Sequence, residues 1–232
     1  MRKQDYFLAD EPDTILAAMA VLRAESSGVV TRPEGLNAHP ESWAHVEVPR
    51  PLLHPGLRPL IAARLGCTEK ELLEVAHRSA NLNDDGSVVL TRRDDYGNRV
   101  FDDLGEEARL ARGLEFIQER LGADGETLMP RWLPITAPEL RAGSRDPQNE
   151  AYRRVLNRAQ RLQRLIELNA PQIINDNEER LLQQAYERLY ETARGELSAR
   201  QSGATVADDA QTTALLHDVY ANPGDDGPRA VY

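Results

Sequence analysis

The feature that most constrains this chain is the run AYRRVLNRAQRLQRLIELNAPQIINDNEERLLQQAYERLY, residues 151–190. In its first half Tyr152, Val155, Ala159, Leu162 and Ile166 recur at spacings of three, four, three and four. That is the two-per-heptad seam of paired helices, narrower than the stripe of a lone surface helix. In its second half Leu182, Ala185, Leu189 and Thr192 repeat the pattern. Between them Pro171 cannot continue the first helix, and Asn175, Asp176 and Asn177 are candidate N-caps for the second. Two arms joined by so short a break are expected to pack antiparallel.

Five arginines of the first arm, Arg153, Arg154, Arg158, Arg161 and Arg164, fall off that seam. So do Asn177, Glu178, Arg180 and Gln183 on the second arm. A solvated charged face and a docking face with arginine hot spots both fit this pattern. The charge is unevenly placed. Residues 147–195 hold eight arginines against seven acids, a net +1, while the rest of the chain holds 20 basic and 31 acidic residues, a net −11. A nucleic-acid binder carries a basic footprint over its domain, so strong direct binding to DNA or RNA is not expected.

The remaining segments predict a small mixed body. PDTILAAMAVLRAE, residues 12–25, fits a short amphipathic helix, and SGVVTRP a brief strand. WAHVEVPRPLLHPGLRP places Val46 and Val48 on one side of a strand, then breaks at prolines into an irregular connector. A helix stopped at Gly66 precedes a second one capped by Thr68, with Glu71 completing a capping box. SVVLTRRDDYGNRVF predicts two short strands around a turn. GEEARLARGLEFIQERLG predicts a helix with Leu110, Leu114, Ile117 and Leu121 on one face and Gly122 past its end. LMPRWLPITAPELR is too proline-rich for either regular element. The acidic segment from 201 ends in ANPGDDGPRAVY and is expected to be mobile. The expected fold class is therefore α+β and mainly helical. A compact body (1–146) carries a projecting antiparallel coiled-coil hairpin (147–200) and an acidic tail (201–232).

Reactive constellations are sparse. One cysteine, Cys67, excludes an internal disulfide or a four-thiolate zinc site. Its place near a helix start could lower the thiol pKa, but a small buried hydrophobe is the expected role. His39, His45, His54 and His77 have no metal-ligand spacing. Asn81, Asn83, Asp85 and Gly86 fit the early positions of a calcium loop, but the last position, which should hold a glutamate, is Arg92. A turn rich in Asn and Asp is expected instead. DDLGEE reads as the acidic first turn of a helix, and Trp43 and Trp132 as core anchors. With no nucleophile–base pair, the chain is expected to be non-enzymatic, without metal or cofactor. No apolar run reaches membrane-spanning length and no signal segment opens the chain, so a cytoplasmic location is expected.

A resemblance sharpens this reading. YRRVLNRAQRLQRLIELNAPQIINDNEERLLQQA closely resembles the clamp helices of the bacterial RNA polymerase β′ subunit. WLPITAPELR resembles the segment leading into them, and WAHVEVPRPLLHPGLRPLIAARLGCTEKELLEV the clamp stretch after the zinc-binding element. Laid along that family, residues of about 26–200 match, with a shortened middle, and nothing beyond Arg200 does. In that family the clamp helices are the main dock for region 2 of sigma factors, and their tip receives elongation factors of the NusG type. The resemblance implies sigma contacts at Arg158, Arg161, Asn177, Glu178, Arg180, Gln183 and Ala185, and a tip at Leu168, Pro171, Ile173 and Ile174.

The departures are as informative. The zinc-binding cysteines are absent, Ser26 and Ser27 standing near the place of the last pair. No NADFDGD-like carboxylate cluster occurs, and the acidic ATVADDAQ replaces the basic segments that follow the clamp helices. The function implied is a non-catalytic mimic of the β′ clamp that binds a sigma factor and regulates transcription initiation. The alternatives are a structural subunit that joins other polymerase subunits in a split enzyme, and a tip binder of a NusG-like factor.

Overall fold

The computed structural model describes residues 2–37, 43–83, 85–90, 92–93, 95–96, 99–100 and 113–202. The chain divides into two units, Met1–Arg194 and Gly195–Tyr232. In the second, residues 195–201 are helical.

The first unit opens with α1 (Asp5–Leu8) and α2 (Pro12–Glu25). Pro12 stands in the first turn of α2, where its missing N–H costs nothing and its fixed φ suits a helix. The helix buries Ile15, Met19 and Leu22 as its periodicity predicts. The strand expected in SGVVTRP is a single bridge, Val29 to His45. β1 (Ala44–Glu47) pairs antiparallel with β6 (Trp132–Ile135).

That pairing corrects one expectation, because β6 lies in the proline-rich stretch where no regular element is expected. Pro134 sits opposite His45. The His45 N–H and C=O are engaged on the other side, by Gly28 O at 3.3 Å and Val30 N at 2.8 Å. The His45–Pro134 position is therefore a non-hydrogen-bonded pair of the ladder, and the missing proline N–H removes nothing.

The connector after β1 leads into α3 (Arg58–Leu65) and α4 (Glu69–Ala76). Gly66 ends α3 in the left-handed region at φ +71°, where its lack of a Cβ avoids strain. Thr68 and Glu71 form the expected capping box. β2 (Ala80–Leu82) and β3 (Val88–Leu90) make a hairpin that the sequence reading missed. Asp85 accepts from Ser87 N at 2.9 Å and from the Ser87 hydroxyl at 2.5 Å, so its carboxylate organises the turn. β4 (Arg92–Arg93) and β5 (Arg99–Val100) pair antiparallel around DDYGN, as expected. α5 (Leu114–Arg120) is the second half of the next expected helix; its first half, Leu110 and the DDLGEE run lie outside the described residues. α6 (Gly125–Leu128) leads into β6.

Two long helices follow, α7 (Pro147–Glu167) and α8 (Gln172–Gln201), the latter belonging to this unit as far as Arg194. Side chains of both helices are bonded to the body, while the tip between them is exposed. The Tyr152 hydroxyl of α7 accepts from Thr136 N at 2.9 Å. Tyr186 of α8 shares a 2.6 Å hydroxyl hydrogen bond with Tyr6 of α1. The ring of His54 stands edge-on to Tyr6 and to Tyr190, with centroids 4.6 and 4.8 Å away. This aromatic knot, with Phe7 and Trp43 beside it, is the centre of the core. Trp43 is buried, as expected of a core anchor, while Trp132 is half-buried on β6. Among the described residues no helix is long and apolar enough to cross a membrane.

Candidate functional site

The two arms are shaped by their ends. Asp146 caps α7 by accepting from Gln148 N at 2.8 Å, with Pro147 in the first turn. The arm ends at Glu167, four residues before Pro171. Asn169 adopts φ +49°, its N–H reaches Ile166 O, and Ala170 N reaches Leu165 O at 2.9 Å. That double closure is a Schellman motif, with asparagine as the left-handed residue. α8 starts immediately after Pro171, whose carbonyl accepts from Ile174 and Asn175. Asn175, Asp176 and Asn177 are therefore inside the helix and are not its caps. Asn175 Nδ2 instead donates back to Ala170 O at 3.1 Å.

Arg158 and Glu178 show that the arms fold back on each other. They are 20 residues apart in sequence and 2.9 Å apart in space. One continuous helix would separate them by about 30 Å. Arg161 also reaches Glu178, at 3.3 Å.

The seam of α7 is as expected: Tyr152, Val155, Ala159 and Leu162 are buried, and Ile166 near the tip is half-buried. The seam of α8 is displaced. Leu182 and Leu189 are buried, but Ala185 and Thr192 are only half-buried, and Tyr186, Tyr190 and Ala193 take the interior. The reason is that α8 meets both α7 and the body, so it buries a wider face than a single seam provides.

This displacement changes the standing of the seven positions implied by resemblance. Glu178 and Gln183 were expected off the seam, facing outward, but they are 2% and 0% exposed. Glu178 lies beneath the two arginines it pairs with. The Gln183 amide clamps the connector, its Oε1 accepting from Leu53 N at 3.0 Å and its Nε2 donating to Leu53 O at 2.9 Å. Arg161 and Asn177 are exposed, and Arg158, Arg180 and Ala185 are half-buried. Arg180 donates to Asn177 Oδ1 at 2.8 Å.

Between the arms, on the face away from the body contacts, runs an open groove of about 500 Å³. Arg154, Arg158, Arg161 and Arg188 form its cationic walls, and Leu181 and Ala185 are among its apolar lining. Arg154 is one of the five off-seam arginines of the first arm, and Arg188 is the one the spacing argument did not single out. The signal that reveals it is a second stripe at helical spacing on each arm: 147, 151, 154, 158 and 161 on α7, and 181, 185, 188 and 192 on α8. At the tip, Leu168 and Ile173 are 67% and 77% exposed, and Ile174 and Pro171 are exposed as well.

A buried ionic network fixes the tip-side end of α8 to the body. Arg78 pairs with Asp176 at 2.8 Å and with Glu179 at 3.2 Å, and Glu179 also accepts from Leu114 N at 3.2 Å. Arg78 follows α4 in the left-handed region, at φ +60°. For a residue with a Cβ that conformation costs about 1 kcal/mol or more, and the two carboxylates hold it there. Gly113, at φ +61°, makes room: a Cβ on it would lie 3.0 Å from Arg78 Nε.

Burial pushes the Glu179 carboxyl up to about 7, with Arg78 acting in the opposite direction. Burial likewise pushes His54 down to about 3. Its Nδ1 accepts from Gly56 N at 3.0 Å while Nε2 donates to Tyr6 O at 2.9 Å, so the neutral ring has both nitrogens satisfied. The half-buried Cys67 thiol is pushed up, first by burial and then by Glu71, so its place beside a helix start does not activate it. Among the described residues no group of three or more His, Cys, Asp or Glu is placed to hold a metal ion.

The two buried groups have opposite pH effects. Glu179 binds its proton more tightly folded than unfolded, so its contribution is full below its ordinary 4.5 and is lost as pH rises through about 7. His54 binds its proton less tightly folded, so its contribution is full above 6.5 and is lost as pH falls toward about 3. Between pH 4.5 and 6.5 the two slopes oppose. Glu179→Gln removes one of them. The variant should lose stability on acidification through that window faster than the parent, by on the order of 1 kcal/mol per pH unit. Urea denaturation at pH 6.5, 5.5 and 4.5 measures this, and parallel stability profiles for the two proteins would contradict it.

No family model matches the chain. Among curated proteins it is similar to DNA-directed RNA polymerase subunit beta′ of Aquifex aeolicus, at 34% identity over 171 residues, covering 58% of this chain and 11% of that subunit. It is similar to the same subunit of Methylobacillus flagellatus, at 30% identity over 217 residues, covering 66% of this chain and 15% of the relative. The Aquifex pyrophilus subunit is 39% identical over 110 residues, covering 42% of this chain and 7% of the relative. The Methylobacillus match runs over more positions than this chain contributes, so that subunit is longer within the matched span. The chain thus spans a small part of the length of each of these subunits, and over that part it is a relative of the β′ subunit of DNA-directed RNA polymerase.

Proposed function

We propose that this chain is a non-catalytic β′-clamp-like docking module that binds region 2 of a sigma factor on the outer face of the α7–α8 hairpin and so regulates transcription initiation. The observation that carries this reading is the arginine groove: a cationic, open surface on the segment whose sequence resembles the sigma dock of β′. The relatives supply the transcription setting, since they are named as RNA polymerase subunits. The non-catalytic part rests on the sequence, which has no NADFDGD-like carboxylate cluster.

The residues divide by role. Arg161 and Arg158 present guanidinium groups to the partner. Glu178, buried beneath them, aims both, so it acts through them. Ala185 offers a small floor, and Asn177 with Arg180 extends the surface toward the tip. Gln183 holds the hairpin to the body. Arg161→Ala is expected to weaken binding of a sigma region 2 fragment by about 2 kcal/mol, roughly 30-fold in Kd, with the circular dichroism spectrum unchanged. Calorimetric titration checks this. An unchanged affinity would move the partner off this face.

A second reading has its own observation. Leu168, Ile173 and Ile174 expose apolar surface at the tip, the kind of patch that marks a contact site. This is the surface a NusG-like factor would use. A structural role beside other polymerase subunits is the third, supported by the relatives' name alone.

A further inference from the structure

We propose that the buried cluster of Arg78, Asp176 and Glu179 is a proton-operated latch: one bound proton holds the tip-side end of α8 against the body, and its loss loosens that end while the rest of α8 in this unit stays docked. The latch acts on the hairpin with or without a partner.

The cluster joins elements that are far apart in sequence. Arg78 follows α4, while Asp176 and Glu179 stand one helical turn apart on α8 and reach the same guanidinium, at 2.8 and 3.2 Å. With all three ionised, one positive charge faces two negative ones, a net −1 in a largely dry site. One proton brings that sum to zero. Glu179 is the group that takes it: its side chain is 4% exposed against 15% for Asp176, and its contact with Arg78 is the longer. Neighbouring charges leave the imbalance in place. Arg50, from the connector after β1, favours the ionised Glu179 but is itself paired with Glu115 of α5 at 3.3 Å. Arg131, ahead of β6, pairs with the same Glu115 at 3.2 Å. Asp176 opposes a second negative charge beside it. His77, next to Arg78, is pushed down by burial and titrates below Glu179. The carboxyl at about 7 agrees with this count.

The anchors of α8 differ along its length, and this makes the change local. Farther from the tip, Gln183 holds the Leu53 backbone with two hydrogen bonds, and the Tyr186 hydroxyl meets Tyr6. An amide does not titrate, and burial pushes both phenols above their ordinary range, so these anchors keep their charge between pH 6 and 8. Glu178 ties α8 to α7 through Arg158 and Arg161, so the two arms stay together. The tip-side end is held to the body by the ionic cluster, with Leu114 N donating to Glu179 at 3.2 Å. When that end leaves the body, Glu179 meets water and its carboxyl returns toward its ordinary 4.5. The docked end thus binds the proton more tightly than the released end. Docking is strongest below 4.5 and weakens as pH rises through about 7. Between pH 6 and pH 8 the docking equilibrium falls about tenfold.

The test is amide hydrogen exchange of the full chain at pH 6 and pH 8, read by mass spectrometry, with each rate divided by the intrinsic rate at that pH. Peptides from residues 172–181 report the tip-side end of α8, and peptides from α2 report the body. Protection of 172–181 is expected to fall about tenfold from pH 6 to pH 8, and that of α2 to fall clearly less. Glu179→Gln keeps the shape without the charge and should show the same protection of 172–181 at both pH values. Asp176→Asn leaves a single carboxylate to Arg78 and should lose most of the pH dependence; it carries the test alone if Glu179→Gln does not fold. Protection of 172–181 in the parent that is equal at the two pH values would overturn the proposal. So would an equal fall in α2, which would mean unfolding of the whole molecule. A tenfold fall that persists in either variant would place the titrating group elsewhere and overturn it as well.

Discussion

Arg78→Ala is expected to destabilise the protein by about 3–5 kcal/mol at pH 8, the scale of removing one partner from a buried ionic cluster. Arg78 is 7% exposed and pairs with both Asp176 and Glu179. Without it, the Leu114 N–H and the charge of Arg50 remain to favour the Glu179 carboxylate. The loss should be smaller at pH 5. There the Glu179 carboxyl, already pushed up to about 7, is protonated and needs no counter-charge. Relief of the positive φ at residue 78 does not rescue the variant, because alanine meets the same left-handed penalty. Urea midpoints at the two pH values measure the difference. A variant equally destabilised at pH 8 and pH 5 would show that the network does not work through Glu179.

The second large effect is at the seam. Leu162→Asp places a carboxylate at a position with no exposure, in a row with Tyr152, Val155 and Ala159. The lost leucine burial is worth about 2–5 kcal/mol with its cavity, and an unpaired buried charge adds several more. Set against a typical total stability of about 5–15 kcal/mol, the variant should be largely unfolded by far-UV circular dichroism. Leu162→Met keeps volume and apolarity and should cost under about 1.5 kcal/mol. A Leu162→Asp protein that melts with the parent would show that α7 does not need this seam.

These effects fall on residues that were legible in the sequence to different degrees. Leu162 was plain, because a seam is a regular spacing and α7 has one principal buried face. The capping box at Thr68 and the stop at Gly66 were equally plain, being local backbone chemistry. Ala185 and Thr192 misled, since α8 packs on two surfaces and no local pattern reports the second. Glu178 and Gln183 looked like surface residues because charge and amide groups usually are; their burial depends on Arg158, Arg161 and the Leu53 backbone, which come from elsewhere in the chain. Pro134 hid β6 for the same reason, since whether a proline is tolerated depends on which side of its partner strand is already bonded. Arg78 carried no signal at all: its role exists only when α4 and α8 meet.

On the proposed function, the hairpin occupies the surface of sigma that β′ itself would use. The direct measurement is a competition in which labelled sigma is bound to this protein and core RNA polymerase is titrated in. With this protein at tenfold its Kd, about 90% of sigma starts bound. Core is expected to displace it one for one, since a single region 2 has one such face. A stable ternary complex of sigma, core polymerase and this protein would place the hairpin elsewhere than on region 2.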